Sequence, residues 1–506
     1  MKDLDDLPHE LLTPAQMAEA DRVTIASGVP GIDLMDRAGA AMAHEAADML
    51  PDAGRVAILC GPGNNGGDGY VAARLLALSG YRVTVAALDP DKPLKGDAAL
   101  AADAWPGPVA AASKIDVGAY DLIIDALFGT GLTRTIAGDA AATVDGLNAG
   151  ETPVLSVDVP SGFDAADGVI EGPVVHADRT VTFFRLKPGH LLSLGENPCG
   201  DVRLHQIGIP AEVLDDIRSP DQALAINGPA LWQNTFPMPR PTDHKYTRGH
   251  AVVLSGPARA TGAARLAAGA ALRVGAGLVT VASPPAAVLV NASHLTAVMI
   301  APCEDGDAFA EIAGERRVTA LCIGPGAGVT EALAEKLRIA CMSQAALVLD
   351  ADALTVVAAE PPLRAVLARR KSDPSILTPH AGEFSRLFPS HNPAHLSDVR
   401  TCAEEIGAVL VAKGPRTIIA SPDGRAAINV NAPPTLATAG SGDVLAGFIT
   451  GLRAQGMPAY EAACSGVWLH GACANAFGPG LIAEDIAACL PDVLRDLGAE
   501  TQTSTR

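Results

Sequence analysis

The stretch Arg55-Val56-Ala57-Ile58-Leu59-Cys60-Gly61-Pro62-Gly63-Asn64-Asn65-Gly66-Gly67-Asp68-Gly69 decides how the first half of the chain folds. Arg55–Cys60 reads as a short buried strand, and the glycine-rich run after it as a turn. From Tyr70 to Leu78 the apolar spacing becomes helical. Strand, glycine turn and helix open a parallel βαβ unit, whose ligands gather beyond the carboxyl ends of the strands. Outward from this unit, Arg82–Leu88, Leu122–Leu127, Val154–Val159 and Thr180–Phe184 repeat the strand signal. Upstream, Thr13 with Gln16 forms a capping box, and a second helix is predicted over Asp33–Leu50.

Taken literally, Gly61-x-Gly63-x-x-Gly66 matches a dinucleotide fingerprint, with Asp89 after the next strand. Two asparagines at the variable positions and the negative charge of Asp68 weaken that match, and no lysine follows to make a P-loop. Asparagine amides and open carbonyls suit a cation or an amide-bearing ligand. The competing reading is a tight turn using Asn and Gly for positive φ. Asp125 lies inside an apolar strand that leads to Phe128-Gly129-Thr130-Gly131, and Asp158 precedes Val159-Pro160-Ser161-Gly162. Alone, each aspartate reads as a capped strand end. Converging with Asp68 and Asn65, they read as an oxygen-ligand site for a monovalent or hard divalent cation.

In the second half, strands are predicted at Ala251–Leu254, Leu278–Ala282, Ala320–Ile323, Ala346–Leu349, Val409–Ala412 and Thr417–Ala420. Late helices are predicted from Asp443 to Ala454 and from Tyr460 to Ala474. Thr438-Ala439-Gly440-Ser441-Gly442-Asp443 runs directly into the first of these. Small residues let backbone N–H groups converge, and a helix N-terminus adds partial positive charge, so this turn suits a phosphate. A carboxylate beside a phosphate needs a compensating task, and proton abstraction from an attacking hydroxyl supplies one. A plain glycine-rich helix entry capped by Asp443 is the alternative.

A chain of 506 residues calls for two or more domains. The proline-dense segment Phe236-Pro237-Met238-Pro239-Arg240-Pro241 is expected to lie in an extended connector over 226–245, between domains at 1–225 and 246–498. Hydrophobic residues are 48% and aromatics only 4%, which fits α/β layers packed through small side chains. A net charge of −20 argues against nucleic-acid or anionic-membrane partners. Nine scattered Cys without a C-x-x-C pair fit reduced thiols and a cytoplasmic location, and the acidic N-terminus carries no apolar leader.

The Gly61–Gly69 run, the Asp125–Gly131 segment, Val157-Asp158-Val159-Pro160-Ser161-Gly162 and Lys187-Pro188-Gly189 together resemble the NAD(P)H-hydrate epimerase family. The second half resembles the NAD(P)H-hydrate dehydratase family through Gly324-Pro325-Gly326-Ala327-Gly328, Asp350-Ala351-Asp352-Ala353-Leu354, Thr378-Pro379-His380-Ala381-Gly382-Glu383-Phe384, Lys413-Gly414 and Gly440-Ser441-Gly442-Asp443. The fold implied is two three-layer α/β/α domains, Rossmann-like then ribokinase-like. The activity implied is repair of NADH or NADPH hydrated at C6. The first domain would interconvert the R and S epimers, and the second would dehydrate the S form at the expense of ADP.

The resemblance also implies site residues. In the first domain a potassium ion would rest on Asn65, Asp125 and Ser161. Asn64, Asn65, Gly66, Gly67 and Asp68, then Gly129, Thr130, Gly131, Leu132, Thr133, Arg134 and Thr135, and Asp158 would contact the hydrate. Asp158 is the candidate acid/base. In the second domain, Lys413, Gly414, Pro415, Arg416 and Thr417 with Gly440, Ser441 and Gly442 would hold the nucleotide, accompanied by Mg²⁺. Gly326, His380, Glu383, Arg386 and Asp443 would face the hydrate, with Asp443 catalytic. Asp350 and Asp352 read as helix caps in preference to catalytic groups. Small-molecule substrates and a homo-oligomeric assembly are expected. The alternative is a vitamin or sugar kinase fused to a nucleotide-binding module.

Overall fold

A computed structural model describes residues 7–132, 134–193, 197–218, 223–370 and 372–503. The chain divides into two compact units, Met1–Pro220 and Asp221–Arg506.

The first unit is built on seven parallel strands: β1 (Arg55–Cys60), β2 (Arg82–Ala87), β3 (Val109–Ala111), β4 (Leu122–Ala126), β5 (Val154–Val157), β6 (Arg179–Phe183) and β7 (Asp201–His205). Their order is β3-β2-β1-β4-β5-β6-β7. The direction of winding reverses between β1 and β4, which opens a crevice at their carboxyl ends. Alternate strand residues feed two cores. Val56, Ile58 and Ile124 enter one, and Ala57, Leu59 and Ile123 the other. Burial on both faces makes this the expected three-layer, Rossmann-like unit.

The helix after β1 spans Asn64–Leu78, six residues earlier than its apolar pattern indicates. Close approach explains the glycines that hid its start. A Cβ on Gly61 would stand 1.7 Å from the Leu127 carbonyl oxygen, and one on Gly66 2.0 Å from that of Gly61. Asp68 therefore sits on a helix, not in a loop.

The second unit adds β8 (Leu224–Ile226), β9 (His250–Leu254), β10 (Leu278–Ser283), β11 (Met299–Pro302), β12 (Ala320–Ile323), β13 (Ala346–Leu349), β14 (Ile376–Leu377), β15 (Val409–Ala412), β16 (Thr417–Ala420) and β17 (Ala426–Asn429). They lie in the order β11-β10-β9-β12-β13-β14-β15-β16-β17-β8. Pairing is parallel from β11 to β15 and antiparallel at β15–β16 and β16–β17. Helices Gly262–Arg273, Ser441–Ala454 and Ala459–Phe477 contribute to one large core over this sheet. Strand residues of the opposite face, such as Val252, Leu321 and Leu347, are equally buried, giving the ribokinase-like three-layer unit.

The expected connector over 226–245 is corrected. Leu224–Ile226 pairs in parallel with β17, so the division falls before residue 224. Pro229–Trp232 is a helical turn, and Trp232 is 1% exposed. Its ring packs 5.6 Å from Phe236 and 5.7 Å from Trp468. Burying one indole this fully outweighs the extended preference of nearby prolines.

Candidate active sites

At the carboxyl ends of β1, β4, β5 and β6 the first unit holds a cavity of about 550 Å³. Asn64, Asn65, Asp68, Gly129, Thr130, Gly131, Leu132, Arg134 and Asp158 line it, as do Asp21 and Lys187. Gly66 and Gly67 lie beneath the wall, the latter against Met35. Thr135 packs on Gly172. Thr133 falls outside the described residues.

Asp158 has φ +64°, a left-handed conformation that turns the chain just beyond β5. Its Oδ1 accepts from Lys187 Nζ at 2.5 Å and from Thr182 Oγ1 at 3.0 Å. Lys187 Nζ also donates to Thr182 Oγ1 at 2.7 Å, and its side chain is 1% exposed. Burial opposes the charge on Asp158, but the Lys187 ammonium overrides it and holds the carboxyl below its usual range. His190 Nδ1 accepts from the Lys187 amide, which leaves Nε2–H to donate to the Asp158 carbonyl at 3.0 Å. Burial, reinforced by Lys187, lowers the His190 pKa to about 4, so this imidazole is a neutral brace.

Asp125 is fully buried. It accepts from Ser161 Oγ at 2.6 Å, the Ser161 amide at 2.8 Å, Ser156 Oγ at 3.0 Å and the Leu127 amide at 3.3 Å. Burial still raises its pKa despite these donors. Asn65 presents its amide to Gly129, where a Cβ would lie 2.7 Å from Oδ1, and its buried Nδ2 has no partner among the described residues. The Asn65 amide oxygen, the Asp125 carboxylate and the Ser161 hydroxyl supply the oxygen donors a monovalent cation takes, whereas the unpartnered Nδ2 is a donor suited to an acceptor of the ligand.

In the second unit, several strand ends meet the N-terminus of the helix Ser441–Ala454. Gly440 enters it at φ +88°, and no side chain caps it, so first-turn amides remain open to a ligand. Asp443 lies in that turn. Burial first and the Asp350 charge second raise its pKa to about 6, with Lys413 opposing. His470, buried and shifted to about 4 by burial, donates from Nε2 to the Ser441 carbonyl at 2.9 Å and braces the turn from below.

Neither Asp350 nor Asp352 is a helix cap, contrary to expectation. Ala351 takes φ +48°, which throws the two side chains apart. Asp350 Oδ1 accepts from Thr378 Oγ1 at 2.7 Å and Lys413 Nζ at 2.8 Å. Asp352 accepts from the Gly328 amide at 2.8 Å. This clasp ties the loops after β12, β13, β14 and β15 together. Gly326 (φ +63°) lies against the loop after β9, where a Cβ on Gly256 would stand 1.7 Å from the Gly326 carbonyl oxygen.

His380 is joined to this cluster by a bridge to Lys413, and its ring is exposed. Glu383 accepts from the His380 amide in a capping box. Arg386 donates to Thr355 Oγ1 and the Gly382 carbonyl. Arg416 donates to the Val430 carbonyl, while Thr417 closes a turn onto Gly414. The polar groups of Glu383 and Arg386 are thus engaged within the protein. Lys413, Asp350 and Asp443 are the side chains that the structure brings to the helix N-terminus, while the exposed His380 ring accepts from the Gly382 amide.

Asp21 and the buried role of Lys187 were not identified from sequence. The signal for Asp21 is its place four residues after buried Met17 on an otherwise apolar helix face.

A doubly wound unit with an acid-lined crevice and a second unit with an open helix N-terminus beside a carboxylate define a two-site α/β enzyme. A family model described as NAD(P)H-hydrate dehydratase matches residues 251–489, and one described as YjeF-related protein N-terminus matches residues 31–189. Over 510 residues the chain is 34% identical to the bifunctional NAD(P)H-hydrate repair enzyme of Escherichia coli (strain K12), covering 96% of this chain and 94% of that one. The corresponding enzyme of Salinibacter ruber is 35% identical over 539 residues, with 97% of each chain covered. A solved ADP/ATP-dependent NAD(P)H-hydrate dehydratase from Bacillus subtilis, co-crystallized with ATP/Mg²⁺, is 28% identical with TM-score 0.46, covering 54% of this chain and 98% of that one. The chain belongs to the bifunctional NAD(P)H-hydrate repair enzymes, which join an epimerase to a dehydratase.

Proposed function

We propose that the second unit dehydrates the S hydrate of NADH or NADPH by turning its C6 hydroxyl into a phosphate ester with ADP. Hydroxide is a poor leaving group and phosphate a good one. Asp443 takes the hydroxyl proton as the oxygen attacks the β-phosphorus, and AMP departs. The ring-nitrogen lone pair then expels phosphate, and loss of the C5 proton restores the dihydronicotinamide. The open Gly442 amide of the uncapped first turn and the Lys413 ammonium oppose charge on the transferring group. The observation that carries this reading is a carboxylate with pKa about 6 beside an uncapped helix N-terminus. A base poised near neutral pH is worth roughly 10²–10⁴-fold in rate. Among the described residues no three His, Cys, Asp or Glu gather as a metal cage, so Mg²⁺ would be held largely by the nucleotide phosphates.

The first unit interconverts the R and S hydrates in its cavity. Asn65, Asp125 and Ser161 would hold K⁺, which would supply a fixed positive charge to the site. No helix among the described residues is long and apolar enough to cross a membrane. A cytoplasmic location, which the free cysteines fit, and a homo-oligomeric assembly are part of the proposal. Purified protein incubated with mixed hydrates and ADP, ATP or neither tests the scheme. Full recovery of dihydronicotinamide absorbance with release of AMP and phosphate is expected with ADP. A stable phosphoester would point to a kinase instead.

A further inference from the structure

We propose that Asp21, on the helix Pro14–Ala26, forms with Asp68 the proton-exchanging carboxyl pair of the epimerase, while Asp158 is a fixed anion that holds the substrate. The proposal rests on the epimerase reading above. Four carboxyl groups, those of Asp21, Asp68, Asp97 and Asp158, line one cavity, and the one buried ammonium there is that of Lys187. Lys187 is committed to Asp158 and Thr182. Asp21 and Asp68 accept no hydrogen bond from the described residues. They come from different helices, Pro14–Ala26 and Asn64–Leu78, and so can address two sides of a bound ring.

Two carboxyls that accept no hydrogen bond from the described residues, in one partly buried cavity, do not both ionise easily. Burial, with Asp158 and then Asp21, pushes Asp68 well above its usual range. Burial lifts Asp21 to about 6, Lys187 pulling it down and Asp158 pushing it up. The same environment biases Asp68 toward its protonated form, while Asp21, at about 6, is mostly a carboxylate at neutral pH. The charged groups facing Asp21 are Asp68, Asp158 and Lys187, with Asp97 and Arg134 also on the cavity wall. The helix Val213–Ile217, packed on that of Asp21, carries only the exposed Asp215 and Asp216.

The exchange balances as follows. Asp68 gives its proton to the C6 hydroxyl, and the C6–O bond breaks with its electron pair leaving as water. The N1 lone pair forms a C6=N1 double bond, placing the positive charge on nitrogen. Water adds to the opposite face, and the π pair returns to N1. The surplus proton passes to Asp21 and is relayed through water to Asp68.

The test uses the full chain with purified R hydrate and no nucleotide, following formation of the S epimer. Asp21→Asn should lower kcat about 10²-fold or more with KM little changed, and Asp21→Glu should recover much of the loss. In the parent enzyme the rate should fall as pH drops through about 6, where Asp21 gains its proton. That limb should be absent from the residual activity of Asp21→Asn. An unchanged KM for R hydrate and an unchanged urea melt of the first unit check that the variant folds. An Asp21→Asn enzyme within threefold of the parent, or one keeping the limb near pH 6, overturns the proposal. A parent enzyme that fails to interconvert the epimers overturns the epimerase reading itself.

Discussion

Asp350 and Lys413 form an ion pair of 2.8 Å, and the ammonium lies 3.4 Å from where a Cβ on Gly442 would stand. The carboxylate is almost fully buried and also accepts from Thr378. Lys413 is therefore held under the amide-lined turn before any nucleotide arrives, so little of its entropy is lost on binding. Asp350→Asn should raise the KM for ADP roughly tenfold, about 1.4 kcal/mol. It should also move the acid limb of dehydration to lower pH, because Asp350 helps keep Asp443 protonated. A KM within twofold of the parent would show that Lys413 needs no such anchor.

Asp443→Asn should abolish dehydration while ADP still binds, since the amides and Lys413 remain. The same change should stabilise the fold. A carboxyl whose pKa is raised on folding favours its neutral form, so the folded state loses stability as pH climbs from 3.8 through about 6. Removing the charge should return on the order of 1 kcal/mol at neutral pH, after allowance for solvent screening. Calorimetry of the two proteins at pH 5 and pH 8 checks this. A stability gain that is no larger at pH 8 would contradict it.

Dehydration by the parent enzyme should need Asp443 ionised. Its kcat is expected to fall tenfold per pH unit well below about 6 and to level off above 7. His470, already neutral with a pKa near 4, should add no limb in that range. A flat profile between pH 5 and 8 would remove Asp443 from the role of base.

Strands β12, β13, β15 and β16 were legible to the residue, because three to five consecutive apolar residues bounded by glycine or polar groups admit little else. β14 escaped because it is two residues long and owes its existence to neighbours on both sides. β7 and β8 escaped as edge strands, where half the polar groups face water. Asp443 was visible because it follows small residues at a helix start, and Asp158 because it ends an apolar strand just before Pro160-Ser161-Gly162. The clasp of Asp350 and Asp352 was not, since it depends on the left-handed turn at Ala351, which no local rule assigns to alanine. Asp21 lay hidden for a related reason: its helix declares an apolar face, but only the folded crevice shows that this face borders Asp68 and Asp158.

Potassium dependence should separate the two activities. Asp125→Asn and Ser161→Ala remove donors of the first unit only, so epimerisation should lose its response to K⁺ while dehydration is retained. Exchange of K⁺ for Li⁺ in the parent should slow epimerisation alone. Equal loss of both activities on that exchange would place the cation elsewhere.

Lys187→Met should unfold the first unit more easily, because it strands the Asp158 carboxylate in a site where the lysine side chain is 1% exposed and the carboxylate 15%. Breaking a buried pair by removing one partner costs roughly 3–5 kcal/mol. Asp158 has its pKa lowered on folding, so the pair stabilises above the ordinary aspartate range and the contribution disappears as pH falls through the depressed value. The penalty of Lys187→Met should accordingly shrink in acid. The double change Asp158→Asn with Lys187→Met should regain much of the loss, since neither charge is then unpaired, while hydrate binding stays weak. Urea melts of the single and double variants at pH 4 and pH 8 measure the coupling. Additive penalties at pH 8 would mean that the lysine stabilises through its aliphatic packing and not through Asp158.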